Sequence, residues 1–133
     1  MHPKTTPSFV NPLLRDPAVP QRLTNSRNGR VVADRLLAAF DSASRRTGLL
    51  HHDSLPEGAA MIIAPTNAIH TFFMRFQIDV AFVTRDCRVL KIRHALRPWR
   101  MAAAWGAFAV IELSAGGLAR ADTQVGDRLI VTR

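Results

Sequence analysis

The sequence predicts an α+β fold that is mostly β: a compact antiparallel β-barrel or half-barrel of about seven short strands, with one main helix and a short second helix. Short runs of β-branched, aromatic and aliphatic residues recur along the chain, punctuated by turn signals such as Asn28-Gly29, Pro56-Glu57-Gly58 and Gly126-Asp127. Only one sustained segment, beginning at Asp34, carries its apolar residues at helical spacing. With 133 residues, 47% hydrophobic and 21% charged, the chain is expected to build one core and has no room for a second domain.

Residues 1–21 hold Pro3, Pro7, Pro12, Pro17 and Pro20 and are expected to form a flexible tail, leaving 22–133 as a single globular β-rich domain. Arg22 to Asn25 and Arg30 to Asp34 flank Ser26 to Gly29, where Asn28-Gly29 suits a tight turn, so a hairpin is expected. Leu36, Leu37, Phe40 and Ala43 then recur with helical spacing. Arg45, Arg46 and Gly48 supply a C-terminal stop, which predicts one helix over Asp34 to Thr47. Ala60 to Ala64 reads as a buried strand closed by Pro65. His70 to Phe76 and Ile78 to Thr84 read as a bent or bulged strand pair, and Arg85 to Arg88 as a hairpin turn into the strand Val89 to His94. Ala95 to Ala107 shows no sustained period and is expected to run over the surface as a long connection. Phe108 to Leu113 is a strand, Ala115 to Arg120 a short helix, and Arg128 to Thr132 the final strand.

The net charge is +8, and all of the 18 basic side chains except Lys4 and Lys91 are arginine. Arginine suits phosphate and carboxylate partners. These arginines are spread along the chain, however, and do not form the dense patches usual in nucleic-acid binders. The tail lacks the continuous apolar run of a signal peptide. The longest apolar stretch, Met101 to Ile111, is too short to span a bilayer and is broken by Gly106. A lone cysteine, Cys87, excludes an intrachain disulfide, so a cytoplasmic protein with no membrane span is expected.

Three segments are distinctive together: Gly48-Leu49-Leu50 followed by Leu55 to Gly58; His70 to Phe76 followed by Ile78-Asp79-Val80; and Leu113 to Gly117 followed by Val125 to Arg128. In this order, over about Leu23 to Val131, the chain resembles the domain-of-unknown-function 192 family of small bacterial and archaeal β-rich proteins. It departs from the usual pattern where His51-His52 replace an arginine-containing turn and where Cys87 replaces a turn glycine. The resemblance implies a fold and no established activity.

Strand alternation would place His70, Phe72, Met74 and Phe76 on one face and Thr71, Phe73 and Arg75 on the other. Asp79 would be a carboxylate among small apolar neighbours, needing Arg75, Arg93, Lys91, His70 or backbone amides as partners. His70 with Asp79 or Glu112 forms a candidate acid–base pair, although no nucleophile completes a set: Thr71 and Ser114 lack an elbow motif, and Cys87 reads as an exposed spectator thiol. His51, His52, Asp53, His70 and His94 have no metal-site spacing, and no cofactor is expected. Arg97-Pro98-Trp99-Arg100 offers a stacking plate between two anion-seeking forks.

The leading expectation is therefore a non-catalytic binding domain for a small polar or anionic ligand such as a sugar, nucleotide or acidic peptide. The ligand would lie near His70, Thr71, Met74, Arg75, Asp79, Arg97, Trp99 and Arg100. A nucleic-acid binder using arginines and aromatic rings is the second reading, and a hydrolase or isomerase built on His70 and a carboxylate is the third.

Overall fold

A five-stranded central sheet carries two apolar layers, one on each face, and this arrangement follows from three strands that are apolar on both sides. The computed structural model describes residues 8–15 and 21–133. In chain order the elements are α1 (Asn11–Arg15), β1 (Arg22–Asn25), β2 (Val31–Ala33), β3 (Arg35–Ala39), α2 (Ser42–Thr47), β4 (Ala59–Ile63) and β5 (Ala68–His70). There follow β6 (Ile78–Val83), β7 (Val89–Leu96), β8 (Met101–Ala103), β9 (Ala109–Ser114), α3 (Gly117–Arg120) and β10 (Leu129–Thr132). The central sheet has the order β3-β4-β9-β6-β7; β10-β1-β2 and β5-β8 form two smaller sheets.

β4 and β6 are buried along their whole lengths, and β9 as far as Leu113. Alternation sends Ala60, Ile62, Ala81, Val83, Ile111 and Leu113 into one layer, closed by Leu23, Val32 and Leu129 of the three-stranded sheet and by Leu118 of α3. Met61, Ile63, Val80, Phe82 and Val110 enter the other layer, closed by Leu49, Leu55, Met74 and Ala102. Each large aliphatic side chain sealed in this way contributes roughly 1.5–3 kcal/mol. A sequence whose strands serve two apolar layers leaves few positions for polar groups, and those few stand out below.

The strands divide among three sheets, do not close into a barrel, and number ten rather than seven among the described residues; the pairing of β3 with β4 is parallel. The expected helix over Asp34 to Thr47 is corrected. Arg35–Ala39 is a strand in register with Ala59–Ile63, and the helix begins only after Asp41, whose side chain accepts a hydrogen bond from the Ser44 amide at 2.7 Å. The helix then ends as the sequence indicates, with Gly48 at φ +46° and its N–H donating to the Ser44 carbonyl. His70 to Phe76 is not one extended strand: it leaves β5 at His70 and turns, with Phe73 at φ +66°. The connection expected from Ala95 to Ala107 is shorter, because β7 runs to Leu96 and Met101–Ala103 pairs with Ala68–His70. Cys87 is fully buried at φ +61°, not exposed, and burial pushes its thiol pKa up.

Within the proline-rich stretch, Val10 enters the first apolar layer, the Phe9 amide donates to the Arg85 carbonyl, and Gln21 Nε2 donates to the Pro12 carbonyl. Residues 1–7 and 16–20 of the expected tail lie outside the described residues.

Candidate functional site

Glu112 occupies a position that alternation assigns to the second apolar layer. On β9 it follows Val110 on the same face, and its cross-strand neighbours are Met61 and Val80. It is 4% exposed, its Oε2 has no hydrogen-bond partner, and desolvation raises its pKa from 4.5 to about 7. An unpaired carboxyl is costly in such a place. Glu112 lines a cavity of about 350 Å³ between the end of α2 and β5, together with Arg45, Arg46, Thr66, His70, Phe72 and Met74.

The last turn of α2 brings two cationic side chains into the cavity lining. Arg45 donates to the Phe40 carbonyl at 2.7 Å, and Arg46 Nε lies 3.4 Å from the Ser42 carbonyl. Among the described residues neither guanidinium pairs with a carboxylate, so both retain donors for an anion. His70 Nδ1 accepts from the Phe72 amide at 3.3 Å, which in the neutral ring leaves the proton on Nε2. The cavity is thus lined both by a carboxyl with an unpartnered oxygen and by cationic donors.

Asp79 does not share this cavity. It is wholly buried, and backbone amides satisfy it: Ala95 donates to Oδ1 at 2.9 Å, Gly116 and Leu118 to Oδ2 at 3.1 Å each. Here β7 spends two residues, His94 and Ala95, opposite one of β6, and this bulge turns the Ala95 amide onto the carboxylate. His94 Nδ1 stands 3.8 Å from Oδ2. Asp79 therefore fixes the bulge and the start of α3, and the acid–base pairing of His70 with Asp79 gives way to the sharing of one cavity by His70 and Glu112.

Thr71 is buried and acts as a clamp. Its hydroxyl donates to the Arg97 carbonyl at 2.6 Å and accepts from the Arg100 amide at 2.9 Å, while its carbonyl accepts from the Trp99 amide. The clamp holds the 97–100 loop against β5, with Trp99 at φ +66°. His70 stacks on Phe72 with centroids 4.9 Å apart, Phe72 on Trp99 at 6.0 Å, and Phe73 meets Trp99 at 4.6 Å. Arg97 and Arg100 are exposed beside this run, and Arg75 is engaged by Asp53. Of the residues expected around a ligand, His70 and Met74 line the cavity, Trp99 continues its aromatic wall, and Arg75, Asp79 and Thr71 are occupied by the protein itself.

Arg45 and Arg46 were read from sequence as helix-ending charges, and nothing local marks them as facing a cavity. Glu112 did carry a signal: it is the single acid within the apolar strand Phe108 to Leu113. Among the described residues no group of three or more His, Cys, Asp or Glu side chains could hold a metal ion, and no helix is long and apolar enough to cross a membrane.

These features define a small, sheet-built domain in which, among the described residues, one buried acid with an unpartnered oxygen shares a cavity with two arginines. The chain belongs to the DUF192 family, described as Uncharacterized ACR, whose model matches residues 23–131. It is similar to a protein of unknown function from Novosphingobium aromaticivorans, at 26% identity and TM-score 0.71, over 84% of this chain and 83% of that one. It is also similar to a Sinorhizobium meliloti protein described as a candidate transcription regulator, at 22% identity and TM-score 0.71, over 82% of this chain and 89% of that one. No curated protein matches the chain.

Proposed function

We propose that the chain is a non-catalytic binding domain for a small polar ligand that carries both hydrogen-bond donors and an anionic group, held in the cavity between α2 and β5. One observation carries the reading: Glu112, whose Oε2 is buried without a partner, lines that cavity. A ligand hydroxyl or amine supplies the missing donor, and Arg45 and Arg46 receive a carboxylate or phosphate. Sugar acids and sugar phosphates combine these groups. The lone, buried Cys87 agrees with a cytoplasmic setting, where thiols stay reduced.

Thermal-shift screening and calorimetry with sugar acids, sugar phosphates, amino acids and nucleotides test this. A bound ligand raises the melting temperature in a concentration-dependent way. Glu112→Gln and the double change Arg45→Ser with Arg46→Ser should each weaken binding at least tenfold. A ligand whose affinity neither variant alters would place binding elsewhere and end the reading.

A second reading rests on the shared cavity of His70 and Glu112, whose carboxyl titrates near pH 7, where acid–base work is efficient. It requires turnover of a bound ligand that Glu112→Gln and His70→Ala both abolish. Stoichiometric binding without conversion over hours excludes it.

A further inference from the structure

The aromatic rings outside the cavity mouth form a continuous run, and none of the interactions described so far gives that run a purpose. It starts at His70 and Phe72, which line the cavity, passes to Trp99 with interplanar angles of 25° and 29°, and ends at Phe73, tilted 58° to Trp99. At its outer end Trp99 is 55% and Phe73 66% exposed, so their rings meet solvent where large apolar side chains ordinarily withdraw. Both residues adopt φ +66°, a left-handed conformation rare for bulky side chains. The buried Thr71 clamp fixes the loop that carries Trp99.

We infer that the cavity takes the terminal unit of an anionic oligosaccharide whose following units lie along the aromatic run from His70 to Trp99 and Phe73. This rests on the binding reading above and deepens it by naming the ligand class. Sugar rings offer apolar C–H faces to aromatic plates, hydroxyl donors for Glu112, and, when acidic, carboxylates for Arg45 and Arg46. Arg97 and Arg100 stand beside the outer rings to meet acidic groups further along the chain.

Single-stranded nucleic acid is the competing occupant, because its bases also stack on exposed aromatic faces such as those of Trp99 and Phe73. The oligothymidylate arm of the test separates the two.

The test is calorimetry of the full chain near pH 6 with galacturonic acid and its dimer, trimer and tetramer, with oligothymidylates of matched length, and with glycerol phosphate. Trp99→Asn removes the outer plate with a residue that tolerates a left-handed backbone, and Phe73→Asn is its counterpart should that variant fail to fold. Circular dichroism checks both. Affinity should rise about 3- to 10-fold per added galacturonate unit up to the trimer, the gain expected of one ring contact each. Trp99→Asn should remove that gain while leaving monomer affinity within about 2-fold.

Binding of galacturonic acid with no gain on lengthening, or a gain that survives both ring substitutions, overturns the inference and leaves the cavity reading standing. Binding of glycerol phosphate without galacturonate, lost in Glu112→Gln, does the same. Oligothymidylate binding in place of galacturonate also overturns it. If no compound of this panel or of the earlier screen binds, both fail together.

Discussion

The sharpest quantitative consequence of the structure is that replacing Glu112 with glutamine should make stability less sensitive to alkali. In the native protein the Glu112 carboxyl lies between Met61 and Val80, unpaired, and desolvation moves its pKa from 4.5 to about 7. A raised carboxyl pKa means that the native state holds its proton more tightly than the unfolded chain does. This group's contribution is therefore fully present below pH 4.5 and is lost as pH rises through about 7. At 1.36 kcal/mol per pH unit, the whole change is roughly 3 kcal/mol. Glutamine keeps the shape and cannot ionise. Urea denaturation of both proteins between pH 4 and pH 8.5 should show the variant gaining roughly 3 kcal/mol relative to the natural chain, on the order of 10 °C in melting temperature. Taking the difference cancels every titration that the two proteins share. A difference that stays constant across that range would refute the placement of Glu112 as a desolvated, unpaired acid.

Asp79→Ala should cost roughly 3–5 kcal/mol in urea denaturation, because the amides of Ala95, Gly116 and the buried Leu118 lose a charged acceptor; a loss below about 1 kcal/mol would mean that the bulge holds without it. Cys87 should resist a thiol reagent in the native protein and react at once in strong denaturant, and labelling of the native chain within minutes would contradict its burial. Gly117→Ala places a Cβ 3.0 Å from Leu113 Cβ, so it should lower the melting temperature by several degrees, and an unchanged value would show that β9 and α3 separate freely. Asp127, held down to about 2 chiefly by the Arg27 side chain, contributes stability above its ordinary 3.8 that is lost as pH falls toward 2. Arg27→Ala should therefore move acid unfolding to higher pH.

The strands that sequence reading located are those whose signal is local. Ala60 to Ala64, Ile78 to Thr84 and Phe108 to Leu113 are short apolar runs bounded by turn residues, and each lies within a residue or two of β4, β6 and β9. Arg35–Ala39 misleads because Leu36, Leu37 and Phe40 also satisfy a helical period. Their extended form is stabilised by parallel pairing with Ala59–Ile63, which no local pattern reveals. β8 is hidden for a related reason: Met101-Ala102-Ala103 has little strand preference of its own and is extended by its bonds to β5. For the site, His70 and Glu112 were legible because a polar residue in an apolar setting needs an explanation. Arg45 and Arg46 were not, since a short helix with arginines in its last turn is already explained by its own backbone. Asp79 was legible as a buried acid, while its partners depended on a bulge in β7 and a turn before α3.

The edge of the central sheet at β7 carries a further consequence. Its pairing with β6 shifts register twice, and its exposed side includes Lys91, whose ammonium reaches the Ala103 carbonyl, and Arg93. A strand so kinked and charged offers a poor template to another chain's backbone. The distortion that brings the Ala95 amide to Asp79 thus also blocks edge-to-edge joining of neighbouring molecules, so that one local irregularity serves internal order and resistance to aggregation together.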